Sequence, residues 1–228
     1  MLAMLAALPQ WACSQKESAL MKPSTPLSAE DAALQHKFRG VRGGELRVDA
    51  TFKTNRVIII NVDTGYQFNI GSGVFSPRGA SISGYGGNVD GDRLVIPKHL
   101  RMMRYPDDAR FLSYDTPPYF EGTPIVDVSV PVAERIPDEA LDDLRKNGGG
   151  LRLKLRIHPD TLLVGWDIDR RPGYNPAIKD SSGSPLHVRA QYSWVGGDFR
   201  EAIRRKGQPI EKGWYIDPKT KQRIETDY

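Results

Sequence analysis

Alternation of apolar and polar residues, repeated in several short segments, is the feature that most constrains how this chain can fold. The clearest case runs from Leu151 to Ile157, where every second residue is Leu or Ile, and a second such run follows from Leu162 to Ile168. Successive side chains of a strand point to opposite faces, so a period of two indicates strands with one apolar face. The His158-Pro159-Asp160 step between the runs is typical of a turn, which predicts a hairpin.

Further segments extend this pattern along the chain. Apolar residues alternate from Leu46 to Phe52 and from Ile125 to Val130. The segment from Arg56 to Val62 has an unbroken Val-Ile-Ile-Ile core, as in a central strand covered on both faces. We therefore expect an all-β or β-dominated α+β fold, an antiparallel sandwich-like domain with two or three short helices.

Two of these helices have recognisable ends. Ser28 precedes acidic residues and is a suitable N-cap for a short helix that ends near Lys37. Pro137, followed by Asp138 and Glu139, predicts the start of another helix, which Gly148 ends. Both helices are too short to change the prediction of a strand-dominated domain.

Length and charge restrict the classes of protein to which the chain can belong. Its 228 residues suffice for one sizeable hydrophobic core, and a mean hydropathy of -0.47 is typical of a domain that folds in water. A net charge of +4 is too small to indicate nucleic-acid binding, and the sequence has no zinc-ligand run or basic amphipathic helix. We therefore expect one globular domain, residues 38–228, that binds no nucleic acid.

The N-terminal residues predict export and a lipid anchor. Residues 1–12 form an uncharged apolar run of signal-peptide length, and they end at Ala12-Cys13-Ser14. This junction resembles bacterial lipoprotein signal peptides, in which a small residue precedes a cysteine that is cut free and lipidated, although Gln10 stands where a Leu is usual. The alternative is a buried N-terminal helix that ends in an ordinary core cysteine.

An anchor at Cys13 implies a simple domain organisation. Residues 1–12 would be the signal peptide, and residues 13–37 would form a tether, rich in Ser, Lys, Gln and Pro, followed by the short helix. Ser14 in place of an acidic residue after the cysteine indicates, by resemblance to sorted lipoproteins, the inner face of the outer membrane. We therefore expect a periplasmic domain that reaches the membrane through its lipid anchor.

Motifs for metal, cofactor or nucleophile chemistry are missing from the sequence. The four histidines, at positions 36, 99, 158 and 187, lie far apart and do not have metal-ligand spacing. The segments Gly71-Ser72-Gly73 and Ala80 to Gly84 do not match the nucleophile elbow of serine hydrolases. We therefore expect no metal, no cofactor and no enzymatic activity.

Acidic residues offer two weaker alternatives. The glycine-rich stretch from Gly84 to Asp92 resembles a calcium loop but lacks the distal Glu, so a strand connection is the favoured interpretation. Carboxylate pairs at Asp107-Asp108, Asp142-Asp143 and Asp167/Asp169 would serve a glycosidase only if two of them faced each other across a cleft. Acidic pairs are more often solvated turn or helix faces.

A basic stripe is one candidate binding surface. Arg152, Lys154 and Arg156 alternate with the leucines of their strand, which predicts an outward charged face for lipid headgroups or an acidic partner. The alternative is an edge strand that carries charges to discourage aggregation.

Loop aromatics and carboxylates are the other candidate binding surface. Phe111, Tyr114, Tyr119 and Phe120 surround Thr116-Pro117-Pro118 in a loop between strands, and such aromatic clusters anchor protein interfaces. Packing beneath the sheet is the alternative for these residues. The candidate partner-binding residues are Tyr85, Asp90, Asp92, Phe111, Tyr114, Tyr119 and Phe120.

Several motifs together resemble one family. They are Asn61 to Tyr66, the glycines from Gly84 to Gly91, Ile96 to Leu100, Gly196 to Phe199, Gly213 to Thr220 and Arg223 to Asp227. With the anchor, they make the chain similar to small envelope lipoproteins encoded beside type VI secretion phospholipase effectors. Some of those relatives carry paired cysteines after the glycine-rich stretch, and this chain has none.

The resemblance implies an immunity function. The anchored domain would bind an incoming phospholipase in the periplasm and cover its active site before it attacks the cell's own lipids. The alternatives of other classes are an envelope-assembly or cell-wall-binding lipoprotein and a hydrolase with dispersed acids.

Overall fold

The structure is a computed structural model that describes residues 28–41, 43–63, 65, 67–68, 74–77, 96–113, 116–170, 191–203, 207 and 209–228. Its helices are α1 (Ala29–Lys37), a 3-10 helix (Ala133–Arg135) and α2 (Asp138–Asn147). Its strands are β1 (Gly43–Ala50), β2 (Val57–Asn61), β3 (Gln67–Phe68), β4 (His99–Arg104), β5 (Val126–Pro131), β6 (Gly150–His158), β7 (Thr161–Arg170), β8 (Gln191–Gly197), β9 (Phe199–Arg200), β10 (Gly213–Ile216) and β11 (Arg223–Thr226).

The strands form three sheets. The first sheet has the order β1-β6-β7-β8, and the second has the order β3-β2-β4-β5. A smaller C-terminal sheet has the order β11-β10-β9. The prediction of a β-dominated α+β fold with antiparallel sheets packed together is confirmed. One pair departs from the antiparallel pattern, because β1 runs parallel to β6.

Local sequence patterns account for several elements. The β6–β7 hairpin turns at the predicted His158-Pro159-Asp160 step and pairs Leu151 with Ile168. Helix α2 lies between Pro137 and Gly148, as predicted, and Gly148 has a positive φ of 73° that favours glycine. β2 is an interior strand of the second sheet, which agrees with its unbroken Val-Ile-Ile-Ile core.

The main core lies between the first and second sheets. Leu153 and Leu155 of β6 lie on the inner face of the first sheet, and Ile59 and Met102 lie on the inner face of the second. Helix α2 packs Leu141 into the same cluster. The apolar residues of the alternating strands therefore face one another, and burial of this surface is the main stabilising term.

Helix α1 is attached to this body by polar contacts at both ends. Ser28 caps its N-terminus by accepting a hydrogen bond from the Asp31 backbone N–H, and the Asp31 carboxylate pairs with Lys98 of the body at 2.7 Å. At the other end, the Arg145 guanidinium of α2 donates to the backbone carbonyls of Lys37 and Arg39. The predicted short helix is thus present, whereas Cys13 and the predicted tether lie outside the described residues.

Candidate functional site

A layer of charged side chains lies on the face of the first sheet that is turned away from the main core. Arg152, Lys154 and Arg156 of β6 lie on this face, and they are only 2%, 1% and 0% exposed. The prediction of an outward basic stripe was wrong, and so was its alternative of an edge strand. β6 lies between β1 and β7, and the C-terminal sheet covers its charged face.

Each of these cations has a carboxylate partner. Arg152 donates two hydrogen bonds to Asp167, at 2.8 and 2.6 Å, and Arg156 donates two to Asp49, at 2.6 and 2.8 Å. The Lys154 ammonium lies 3.0 Å from the same Asp167 carboxylate. Paired N–H donors of a guanidinium match the two oxygens of a carboxylate, so the arginine pairs have the strongest geometry available.

The third carboxylate comes from the far end of the chain. Glu201 follows β9, and its oxygens lie 3.1 Å from Arg152 and 3.5 Å from Lys154. Arg47 of β1, which is partly exposed, reaches Glu201 at 3.0 Å. Three buried cations therefore face three carboxylates, and Glu201 links the C-terminal sheet to the first sheet.

Two aromatic rings cover the charged layer on the side away from the first sheet. The Phe199 ring centroid lies 4.1 Å from the Arg156 guanidinium carbon and 5.5 Å from the Lys154 ammonium. The Tyr228 ring lies 4.9 Å from the same guanidinium carbon. Gly165 of β7 lets Phe199 approach, because a Cβ there would lie 3.1 Å from the ring. The charges are thus separated from water by cation-π contacts.

Electrostatics keep the Asp167 carboxylate of this layer ionised. Burial raises the pKa of Asp167, but the hydrogen bond from Arg152 and the charges of Lys154 and Arg152 outweigh it, so the pKa lies below the ordinary value. Burial raises the pKa of Tyr228. A carboxylate that is held ionised and fully engaged by two cations is a poor proton donor or acceptor, so this layer has the properties of a structural network.

One carboxylate of the layer, Asp167, could have been identified from the sequence by pairing the two strands of the predicted hairpin residue by residue. The predicted hairpin register places Asp167 opposite Arg152 and Gly165 opposite Lys154. An acidic residue opposite Arg152 and a glycine opposite Lys154 indicate that another part of the protein packs on this face. Asp49 and Glu201 had no comparable signal, because each is brought to β6 by a long-range contact.

The aromatic loop between β4 and β5 forms a second hydrophobic cluster on the outer face of the second sheet. Tyr119 and Phe120 are buried there against Ile58 and Met103. The Phe120 ring lies 5.1 Å from Tyr105, which is also buried, and 5.7 Å from Phe111. Tyr119 and Phe120 therefore pack on the sheet, as the alternative interpretation of this loop expected. Their role in binding stays a prediction.

The other predicted binding residues cannot be placed. Tyr85, Asp90, Asp92 and Tyr114 lie outside the described residues, as does the lipid-anchor residue Cys13. Phe111 is half-buried at the edge of the aromatic cluster. The structure brings Phe111, Tyr119 and Phe120 together and leaves the glycine-rich loop unplaced.

The segment between β4 and β5 also carries two exposed apolar side chains. Leu112 follows Phe111 and is 41% exposed, and Ile125 precedes β5 and is 54% exposed. By register, Ile125 lies across from Tyr105 on the outer face of the second sheet. We use the name loop surface for the exposed side chains of Leu112 and Ile125 together with the loop that carries the aromatic cluster.

His158 and the acidic pair Asp142-Asp143 have structural contacts. His158 is buried with its ring centroid 5.9 Å from that of Tyr215, and burial lowers its pKa. Asp142 pairs with Arg145, and Asp143 with Arg170. Within the described ranges, no group of three or more His, Cys, Asp or Glu side chains is arranged to hold a metal ion.

Among the described helices, none has the length and apolar character needed to cross a membrane. Comparison of the chain with protein-family models, with curated proteins and with solved structures found no match. Any proposal about function therefore rests on the residues of this chain.

Proposed function

We propose that this chain is a lipid-anchored protein of the bacterial envelope that binds and inhibits a phospholipase effector of type VI secretion. Its anchor is Cys13, and the β-rich domain faces the periplasm from the outer membrane. The leader ending at Cys13 and the family resemblance of the motifs support this proposal. An envelope-assembly lipoprotein is the second candidate, since it needs the same anchor and the same kind of binding domain.

The geometry of the loop surface is the observation that carries the binding part of the proposal. Leu112 and Ile125 are exposed apolar side chains on a loop that Tyr105, Phe111 and Phe120 hold against the sheet. A loop fixed before binding loses less conformational entropy when the partner binds. Apolar side chains on a fixed support are suited to fill a pocket or groove of a partner.

The state of the acidic residues supports binding over hydrolysis. Asp167 is held by two cations, Asp142 by Arg145 and Asp143 by Arg170. Each of these carboxylates belongs to one of the pairs that a glycosidase would need. Although burial raises them, the pKa values of Asp143 and Asp167 are lowered by their cation partners, which disfavours the general acid that a glycosidase needs.

Calorimetry of the purified chain with the phospholipase encoded beside it tests the proposal. We expect one-to-one binding with a dissociation constant of about 1 nM or lower, near -12 kcal/mol. Leu112→Lys and Ile125→Lys should each weaken binding at least about tenfold, because a charge would be buried at the interface. Ile210→Lys is the matched control, since Ile210 is 58% exposed and lies outside the loop surface.

Cells that express the phospholipase in the periplasm provide the second arm. The wild-type chain should protect them, whereas Cys13→Ala should leave the membrane fraction and protect less while retaining the calorimetric affinity. No heat of binding together with no protection would remove the immunity function and favour the assembly lipoprotein. Equal losses of affinity in Ile210→Lys and Ile125→Lys would show that the loop surface is not the interface.

A further inference from the structure

The C-terminal layer, defined as β9, β10 and β11 with Tyr228, contacts the first sheet mainly through charged and aromatic side chains. Among the described residues, neither hydrophobic cluster contains a side chain of this layer. Its contacts include Phe199 and Tyr228 over the buried cations, and Tyr215 against His158. The adjoining Glu201 and Lys219 make ion pairs with Arg152 and Asp160.

An interface of this composition contributes less to stability than the main core does. The attraction within a buried ion pair is largely offset by the loss of hydration of both charges. When the layer separates from the sheet, water can again reach Arg152, Lys154 and Arg156 and their carboxylates. Separation of the two sheets, by contrast, would expose the whole apolar core to water.

The chain also has a suitable pivot between the two parts. β8 ends at Gly197, whose φ of 100° is in the left-handed region that favours glycine. The next residue, Asp198, is fixed to the body, because its carboxylate accepts a hydrogen bond from the Val164 backbone N–H at 2.9 Å and pairs with Arg135. The fixed side of the pivot therefore ends at Asp198, directly before β9.

We propose that the C-terminal layer opens at the junction between Asp198 and Phe199 while the two-sheet body stays folded. The closed state buries the charged face of β6. The open state presents Arg152, Lys154 and Arg156 as an alternating basic stripe on an otherwise intact sheet. The layer is thus a cover over a charged surface, held by ion pairs and aromatic rings.

Native-state hydrogen exchange of the full chain, followed by residue at low denaturant concentrations, tests this opening. Once it has left the first sheet, a layer of three short strands is at best marginally stable, so its amides exchange from the open state. After correction for intrinsic rates, amides of β10 and β11 should therefore exchange at least about tenfold faster than amides of β6 and β7. Their opening should also depend less on denaturant, because it exposes less surface than global unfolding does. Equal protection and equal denaturant dependence in the two sets would overturn the proposal.

Two conservative variants make the test independent of absolute rates. Ile59→Val truncates a buried core residue of the body, which destabilises the closed and open states equally relative to the unfolded chain. It should therefore speed exchange in β6 and β7 by about threefold to tenfold and leave β10 and β11 unchanged.

Phe199→Leu is the matched variant in the layer. It destabilises the closed state alone, so exchange should become faster by the same factor in both sets of strands. If Ile59→Val instead speeds exchange equally in β6, β7, β10 and β11, the chain unfolds as one cooperative unit and the proposed opening does not occur.

Discussion

Replacing Asp167 by Asn is expected to lower the free energy of unfolding by about 3–5 kcal/mol, as for other buried ion pairs that lose one partner. Arg152 and Lys154 would lose the buried carboxylate that both of them contact, and would keep their contacts with the partly exposed Glu201. Denaturant unfolding of the purified variant at neutral pH measures the loss.

The matched control is Asp127→Asn. Asp127 also receives two hydrogen bonds from an arginine, Arg101, but both side chains are exposed to solvent. An exposed ion pair contributes about 0–1 kcal/mol, so this variant should stay close to the wild type. Similar losses in Asp127→Asn and Asp167→Asn would mean that the charged layer is hydrated.

The same pair of variants has a pH signature. Because the pKa of Asp167 is lower in the folded protein than its ordinary value of 3.8, its contribution to stability is present above that value. It is lost as the pH falls through the folded pKa. The free energy of unfolding of Asp167→Asn should therefore fall less than that of the wild type as the pH is lowered through this range, which denaturant unfolding at several pH values measures.

Arg156→Met is expected to have an effect of the same size, about 3–5 kcal/mol, because it leaves the buried carboxylate of Asp49 without its cation. The double variant Arg156→Met with Asp49→Leu removes both charges and supplies apolar side chains to the space beneath Phe199. Its free energy of unfolding should lie within about 1 kcal/mol of the wild type, or above it.

The comparison of single and double variants separates two views of this pair. If the ion pair itself stabilises the fold, the double variant should be at least as unstable as Arg156→Met. If desolvation offsets the attraction, stability should return when both charges are removed. Urea unfolding of the wild type, both single variants and the double variant measures this coupling, and a double variant as unstable as Arg156→Met would contradict our interpretation.

Elements set by local patterns could be predicted from the sequence. The β6–β7 hairpin follows from alternation on both sides of a turn, and α2 follows from Pro137, its acidic first turn and Gly148. The parallel pairing of β1 with β6 could not be predicted, because the two strands are separated by the whole second sheet. A contact between residues so far apart in the chain produces no periodic pattern in the sequence.

The candidate sites could be predicted only in part, for a physical reason. Alternation shows that the two faces of β6 differ, but it does not show what covers the charged face, so Lys154 had the same pattern as a solvent-exposed residue. Tyr119 and Phe120 present the same difficulty, because an aromatic loop residue has the same composition whether it packs on its own sheet or on a partner. Their burial is decided by the fold of the loop from Tyr105 to Ile125.

Acylation of lysines in the native protein, followed by peptide mass spectrometry, tests most directly whether the charged face of β6 is internal. Lys154, whose side chain is 2% exposed, should react at least about tenfold more slowly than Lys212, whose side chain is 59% exposed. In denaturant the two lysines should react at similar rates. Reaction of Lys154 as fast as Lys212 in the native protein would contradict the covered charged layer.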